Sequence, residues 1–262
     1  MEIVLNGKRA LVGGSSRGIG LAIAQQLAAS GASVTIMARN ASKLQKIINE
    51  LPVTNSEQQH QFLAVDFTDF ESYKEILTAY FDKMSVDILI NNTQGPKAGT
   101  SLEKNISDYQ EAFDVLFKSV VFTTQLALDH MRKQQWGRII NVASVSVKEP
   151  LSYLVLSNSI RAAVVAWAKS LATEIAPSKI TVNTILTGYF DTERLAELNQ
   201  KKAELLGISS TEVRDHMISQ VPMKRIGDPK EYGFLATFLA SEQSAYITGT
   251  SIPIDGGLLK SL

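Results

Sequence analysis

Four glycines close together near the start of the chain, Gly13, Gly14, Gly18 and Gly20, restrict the possible folds more than any other feature. Before them, residues 9–12 form a short β-prone run. After them, Ile19, Ile23 and Leu27 recur every four residues among alanines, the spacing that lays one apolar stripe along a helix. Gly31 stands where a left-handed residue would end that helix, and residues 33–37 read as a second strand. Strand, glycine turn, helix and strand make a βαβ unit. Its glycines let a ligand approach the backbone, and the helix start turns free N–H groups and a positive dipole end toward a phosphate. The stretch therefore predicts the opening of a dinucleotide-binding fold.

Charge at the end of the second strand discriminates between dinucleotides. An Asp or Glu there accepts hydrogen bonds from ribose hydroxyls. This chain offers Arg39 and Asn40 instead, and Arg17 places a second guanidinium inside the glycine loop. Most arginines are simply solvated. Two forked cations at these two places nevertheless suit a phosphate dianion and favour NADP(H) over NAD(H).

The remaining pattern alternates strands and helices. Strands are expected at 61–65, 86–90, 138–143, 180–186 and 246–254, and helices at 42–51, 151–176 and after Asp228-Pro229. A Ser107/Gln110 capping box opens a further helix reaching about Lys133. Phe113, Leu116, Phe117, Val120, Val121 and Phe122 make it apolar on more than one face, as in a core helix or a subunit interface. The expected fold is α/β: one Rossmann-type domain over residues 1–262, a doubly wound parallel sheet with helices on both faces. Residues 188–225, with helical stretches at 193–206 and 211–219, read as an insertion lying over the substrate site as a lid.

Composition excludes several function classes. Lysine plus arginine balances aspartate plus glutamate at 26 each, so no electrostatic case exists for nucleic acid or an anionic membrane. Cysteine is absent, which removes thiolate nucleophiles and disulfides. His60, His130 and His216 lack metal-ligand spacing and read as surface or interface residues; no metal is expected. The opening residues lack a signal-peptide core and no apolar run approaches a membrane span, so a cytoplasmic protein is expected.

The spacing Gly14-xxx-Gly18-x-Gly20 replaces the common GxGxxG, and it resembles the short-chain dehydrogenase/reductase family, in particular its 3-oxoacyl-carrier-protein-reductase-like members. The resemblance runs from Gly14 to Gly257. It implies a cofactor site made of Gly14, Ser16, Arg17, Gly18, Ile19 and Gly20, then Arg39 and Asn40. Asp66 is implied as an adenine contact with Phe67 beside it, followed by Asn92, Arg161, Gly188 and Thr192. Where relatives read Asn-Asn-Ala-Gly, this chain has Asn91-Asn92-Thr93-Gln94. The resemblance also implies a homotetramer or homodimer.

In the resembled family hydride passes between nicotinamide and a carbonyl or alcohol carbon. A tyrosine moves the proton, a lysine four residues on tunes it, a serine orients the substrate and an asparagine supports a water relay. The serine matches Ser144 at the end of the fifth strand, and counting back from Lys169-Ser170-Leu171-Ala172 puts the tyrosine position at Ser157 and the lysine position at Arg161. The asparagine position holds Leu116. An aliphatic hydroxyl is a poor acid or base near neutrality, and a guanidinium does not release its proton there. Tyr153, four residues before Ser157, is a candidate substitute donor if the helix already includes it; otherwise it lines the pocket. Two functions follow: an NADP(H)-dependent oxidoreductase on a small carbonyl/alcohol substrate with a non-standard proton donor, or a catalytically silent NADP(H)-binding protein acting as sensor or oligomer partner.

Overall fold

The computed structural model describes residues 2–261. In chain order it contains β1 (Arg9–Val12), α1 (Gly18–Ala29), β2 (Ser33–Ala38), α2 (Ala41–Glu50), β3 (Gln61–Ala64), α3 (Phe70–Phe81), β4 (Ile88–Asn91) and α4 (Ile106–Phe113). There follow α5 (Ser119–Gln134), β5 (Gly137–Ser144), α6 (Val155–Ile175), β6 (Ile180–Thr187), α7 (Glu193–Leu206), α8 (Ser210–Gln220), α9 (Pro229–Leu239) and β7 (Ser251–Ile254). The strands form one parallel seven-stranded sheet in the order β3-β2-β1-β4-β5-β6-β7. The order reverses between β1 and β4, so the carboxyl ends of those two strands flank a crevice.

Strand alternation assigns the two faces. Ala10 and Val12 of β1, Ile88 and Ile90 of β4 and Ile140 of β5 pack with Ile23 and Leu27 of α1 and Tyr232 and Leu239 of α9. Leu11, Leu89 and Ile139 point the other way, onto Tyr73 and Leu77 of α3, Met131 of α5 and Ala168 of α6. Both faces are therefore covered, which is why these strands read as continuous apolar runs. Among the described residues no helix is long and apolar enough to cross a membrane.

Local chemistry explains several boundaries. At the end of α1, Gly31 (φ 99°) donates to the Ala28 carbonyl at 2.9 Å, and Ala32 donates to that of Leu27 at 3.1 Å, closing a Schellman motif. Asp228 caps α9 with Glu231 reciprocating and Pro229 at the first helical position. The expected Ser107/Gln110 box is corrected: the cap is Asn105, whose side-chain oxygen accepts from the Ser107 and Asp108 N–H groups. The long helix is not uniform either, because residues 114–118 form a π-helical turn between α4 and α5, with Leu116 buried inside it. The last strand begins at Ser251, five residues later than expected at 246. His60 and His130 serve as structural hydrogen-bond partners, the first to the Val34 N–H and the second to Asp87, while His216 is exposed.

Candidate active site

The crevice at the strand ends is one cavity of about 680 Å³. Its first wall is the glycine loop. Ser15, fully buried, donates to the Val12 carbonyl at 2.8 Å and accepts from the Met37 N–H at 2.9 Å, tying the loop to β1 and β2. Asn92, one residue past β4, donates its side-chain amide to the carbonyls of Gly13 (3.0 Å) and Gly14 (3.3 Å). This brace across strands was not foreseen in the sequence, where Asn92 appeared as a cofactor contact alone. Gly14 and Gly18 have φ of 53° and 56°, the left-handed region. The start of α1 has no side-chain cap, which leaves its first N–H groups directed at the cavity.

Gly20 has no room for a side chain. A Cβ there would overlap the Gly14 carbonyl oxygen and crowd the Asn92 amide. Gly20→Ala is therefore expected to cost about 1–3 kcal/mol of stability through overpacking against backbone. Because the loop must move to relieve the clash, nucleotide affinity should fall with it. Chemical denaturation and a fluorescence titration with NADPH check both losses, and a variant as stable and as tight as the parent would refute the cradle.

Ser16, Ile19, Arg39, Asn40, Phe67, Gly188 and Thr192 also line the cavity. Asn40 caps α2 by accepting from the Lys43 N–H, and Thr192 caps α7 by accepting from that of Leu195. Gly188 backs so closely onto Asp255 that a side chain could not fit. Asp66 is not among the residues that line the cavity; its carboxylate accepts from the Thr68 N–H (2.9 Å) and hydroxyl (2.7 Å). Those bonds and Arg39 hold its pKa below the ordinary value despite the opposing desolvation, the largest single contribution. Arg17 lines the cavity but is engaged. Its guanidinium binds Glu193 at 2.6 Å and Glu197 at 3.0 Å, both on α7, and the Glu193 bond leads in raising its pKa. The clamp joins glycine loop to α7 across 176 residues of sequence.

The second wall holds Ser144, Ser157 and Arg161. Ser144 ends β5 in register with Thr187 of β6, and its hydroxyl oxygen accepts from the Ser146 N–H at 3.1 Å. A hydroxyl used that way as acceptor keeps its proton free to donate. Ser157 and Arg161 lie one turn apart on α6 and both line the cavity. The Arg161 guanidinium donates to the Val142 carbonyl of β5, and desolvation pushes its pKa down to about 10, which leaves it cationic at neutral pH. Leu116, in the core, is not part of the wall.

Tyr153 does line the cavity, but from a different position than the helical spacing implied. The helix α6 begins at Val155, and the Tyr153 carbonyl is held outside it by the Gly99 N–H at 2.7 Å. The phenol is half-buried, and burial, assisted by Tyr189, raises its pKa. Above it stands α7, whose Arg194, Leu198 and Lys202, spaced four residues apart, face the same cavity.

The chain is similar over nearly its whole length to known proteins. A family profile described as enoyl-(acyl carrier protein) reductase matches residues 14–259. The chain is 31% identical over 259 residues to a 3-oxoacyl-[acyl-carrier-protein] reductase of Aquifex aeolicus, covering 98% of this chain and 100% of that one. It is 32% identical over 256 residues to the NADPH-dependent reductase BacG of Bacillus subtilis, covering 97% and 99%. The solved structure of L-sorbose reductase from Gluconobacter frateurii, complexed with NADPH and L-sorbose, superposes with a TM-score of 0.92 at 29% identity over all of both chains.

Proposed function

The chain belongs to the short-chain dehydrogenase/reductase family, and from that premise we propose an NADP(H)-dependent oxidoreductase that interconverts a carbonyl and a secondary alcohol, with a proton donor other than the family's usual tyrosine. The observation that carries the proposal is the convergence of the glycine loop, Arg39 and the Ser144 hydroxyl on one cavity. The uncapped start of α1 and the side-chain-free glycine loop, packed against Asn92, support the fit to the cofactor. NADPH, when bound, supplies the hydride. Gly14, Gly18 and Gly20 would hold its pyrophosphate, and Arg39 and Arg17 its additional phosphate. Ser144 donates a hydrogen bond to the substrate oxygen, and Arg161 contributes fixed positive charge.

Tyr153 gives the proton. Its raised pKa keeps the phenol protonated throughout the neutral range. Such a phenol readily protonates a forming alkoxide, which is the far stronger base. The reverse step needs the phenolate to accept a proton from an alcohol, and a pKa raised by burial leaves little phenolate at neutral pH. Reduction should be nearly flat between about pH 6 and 9, while alcohol oxidation should climb about tenfold per pH unit, following the phenolate. Tyr153→Phe should cut reduction by roughly 10²–10⁴ and abolish the pH slope of oxidation. Undiminished reduction in that variant would remove Tyr153 as the donor.

Oxidation of NADPH with a broad panel of ketones and aldehydes tests the activity itself. Turnover on none of them, with NADPH bound, favours the catalytically silent cofactor-binding protein. That second reading is supported by Ser157, Arg161 and Leu116 standing where the family has tyrosine, lysine and asparagine. The segment 188–225 acts as the lid over the substrate. Assembly into a homodimer or homotetramer is supported by the partly exposed Phe113, stacked on Phe117, which in turn meets Trp167 of α6 edge-on. Light scattering on the purified protein checks that state.

A further inference from the structure

We propose that the substrate carries a carboxylate as well as its carbonyl, and that Lys202 of α7 seats that carboxylate. The inference rests on the oxidoreductase reading above and adds the substrate class. Charge around the cavity is one-sided. Arg17, Arg39, Arg161, Arg194 and Lys202 line it, against the carboxylates of Glu193 and Glu197. Both carboxylates bind Arg17, and Glu197 also approaches Arg194 at 3.5 Å. Among the described residues neither Lys202 nor Arg161 has a carboxylate within ion-pair distance.

Position separates Lys202 from the cofactor. Glu193, at the start of α7, meets the glycine loop through Arg17, and Lys202 lies nine residues further along the helix. That is about 13 Å at 1.5 Å per residue. Nucleotide phosphates bound at the glycine loop and Arg39 leave the ammonium uncompensated. Lys202 is half-buried, with Nζ 5.5 Å from the centre of the Tyr153 ring. The aromatic face is a weak substitute for a counter-ion. A half-buried cation without an anion, beside the Tyr153 ring, forms a receptor for one negative charge.

The surroundings describe the rest of the ligand. Leu151, Leu154, Leu198 and Met217 give an apolar wall for a short carbon body, and Ser144 and Ser157 offer hydroxyls for the carbonyl. A carboxylate fits better than a phosphate dianion, because the other α7 cation that lines the cavity, Arg194, is already held by Glu197 and the Pro96 carbonyl. The substrate class is a small keto acid.

Matched pairs test it. Levulinate and ketoisocaproate should each be reduced by the NADPH-loaded enzyme with kcat/KM roughly 10- to 100-fold above that of their methyl esters, the range of one charge-assisted hydrogen bond. Lys202→Gln should collapse that preference, chiefly by raising KM for the acid, and Lys202→Arg should restore most of it. Calorimetry on the NADPH-loaded protein should show levulinate binding that Lys202→Gln weakens by a similar factor, and this readout does not depend on turnover. Binding without reduction of any carbonyl would preserve the anion seat and overturn the oxidoreductase reading. Esters reduced as well as acids, levulinate binding indifferent to Lys202→Gln, or absence of levulinate binding would each overturn the proposal.

Discussion

Replacing Ser144 by alanine is expected to lower kcat for carbonyl reduction by about 10²–10³, with the affinity for NADPH little changed. The position of the hydroxyl explains the size of the effect. Ser144 ends the eight-residue strand β5, paired along its length with β6, so its backbone is held by the sheet rather than by a loop. Its oxygen already accepts the Ser146 N–H, which orients the remaining O–H as a donor. Charge develops on the substrate oxygen during reduction, and a donor fixed in place before the reaction stabilises that charge without reorganising. The dependence on Ser144 should be greater here than in a site with a phenol–ammonium pair, since the matching positions hold Ser157 and Arg161. Ser144 also caps the turn at residues 145–147, so the variant should lose about 1 kcal/mol of stability as well. A thermal melt separates that loss from the catalytic one. Reduction within about threefold of the parent would show that the hydroxyl does not contact the reacting oxygen.

The parts of this architecture legible in the sequence are those fixed by local chemistry. Strand β1 and helix α7 have the bounds the residue pattern implies, because glycine or a capping threonine sets their ends within a residue or two. The carboxyl-end crevice follows from strand–helix alternation alone. What escaped were choices between neighbouring caps and contacts between distant segments. Asn105 and Ser107 both resemble N-caps, and the asparagine prevails by accepting from two N–H groups while Asp108 returns the bond. The spacing of Tyr153 to Ser157 permits a place in the helix or before it, and a bond from Gly99, a partner far away in sequence, keeps it in the preceding turn. The Asn92 brace and the Arg17 clamp have the same origin. Each joins residues at least 78 positions apart, and no periodicity within one element encodes such a pair.

The clamp changes what should be expected of the two arginines assigned to the phosphate. Replacing Arg17 and Arg39 together with alanine should weaken NADPH by about 10²–10³ while NADH loses much less, since each charge-assisted bond to a phosphate contributes roughly 1.5–3 kcal/mol. The single variants should be unequal. Arg17 must first release Glu193 and Glu197, whose bonds at 2.6 and 3.0 Å compete directly with any phosphate. Those pairs are partly exposed, each side chain retaining 45% or more of its accessible surface, so they oppose the exchange by no more than about 1 kcal/mol apiece. Arg39 forms no such pair among the described residues, and its long-range partner Asp66 is engaged with Thr68. Arg39→Ala alone should therefore account for most of the lost affinity, and Arg17→Ala for less. Glu193→Gln with Glu197→Gln should act oppositely, freeing Arg17 and tightening NADPH severalfold. Titrations of each variant with NADPH and NADH decide the matter, and equal losses for the two nucleotides would place the extra phosphate elsewhere. Because the carboxylates belong to α7, a phosphate that displaces them also detaches that helix from the glycine loop. Cofactor choice and the closure of the substrate end would then depend on the same guanidinium.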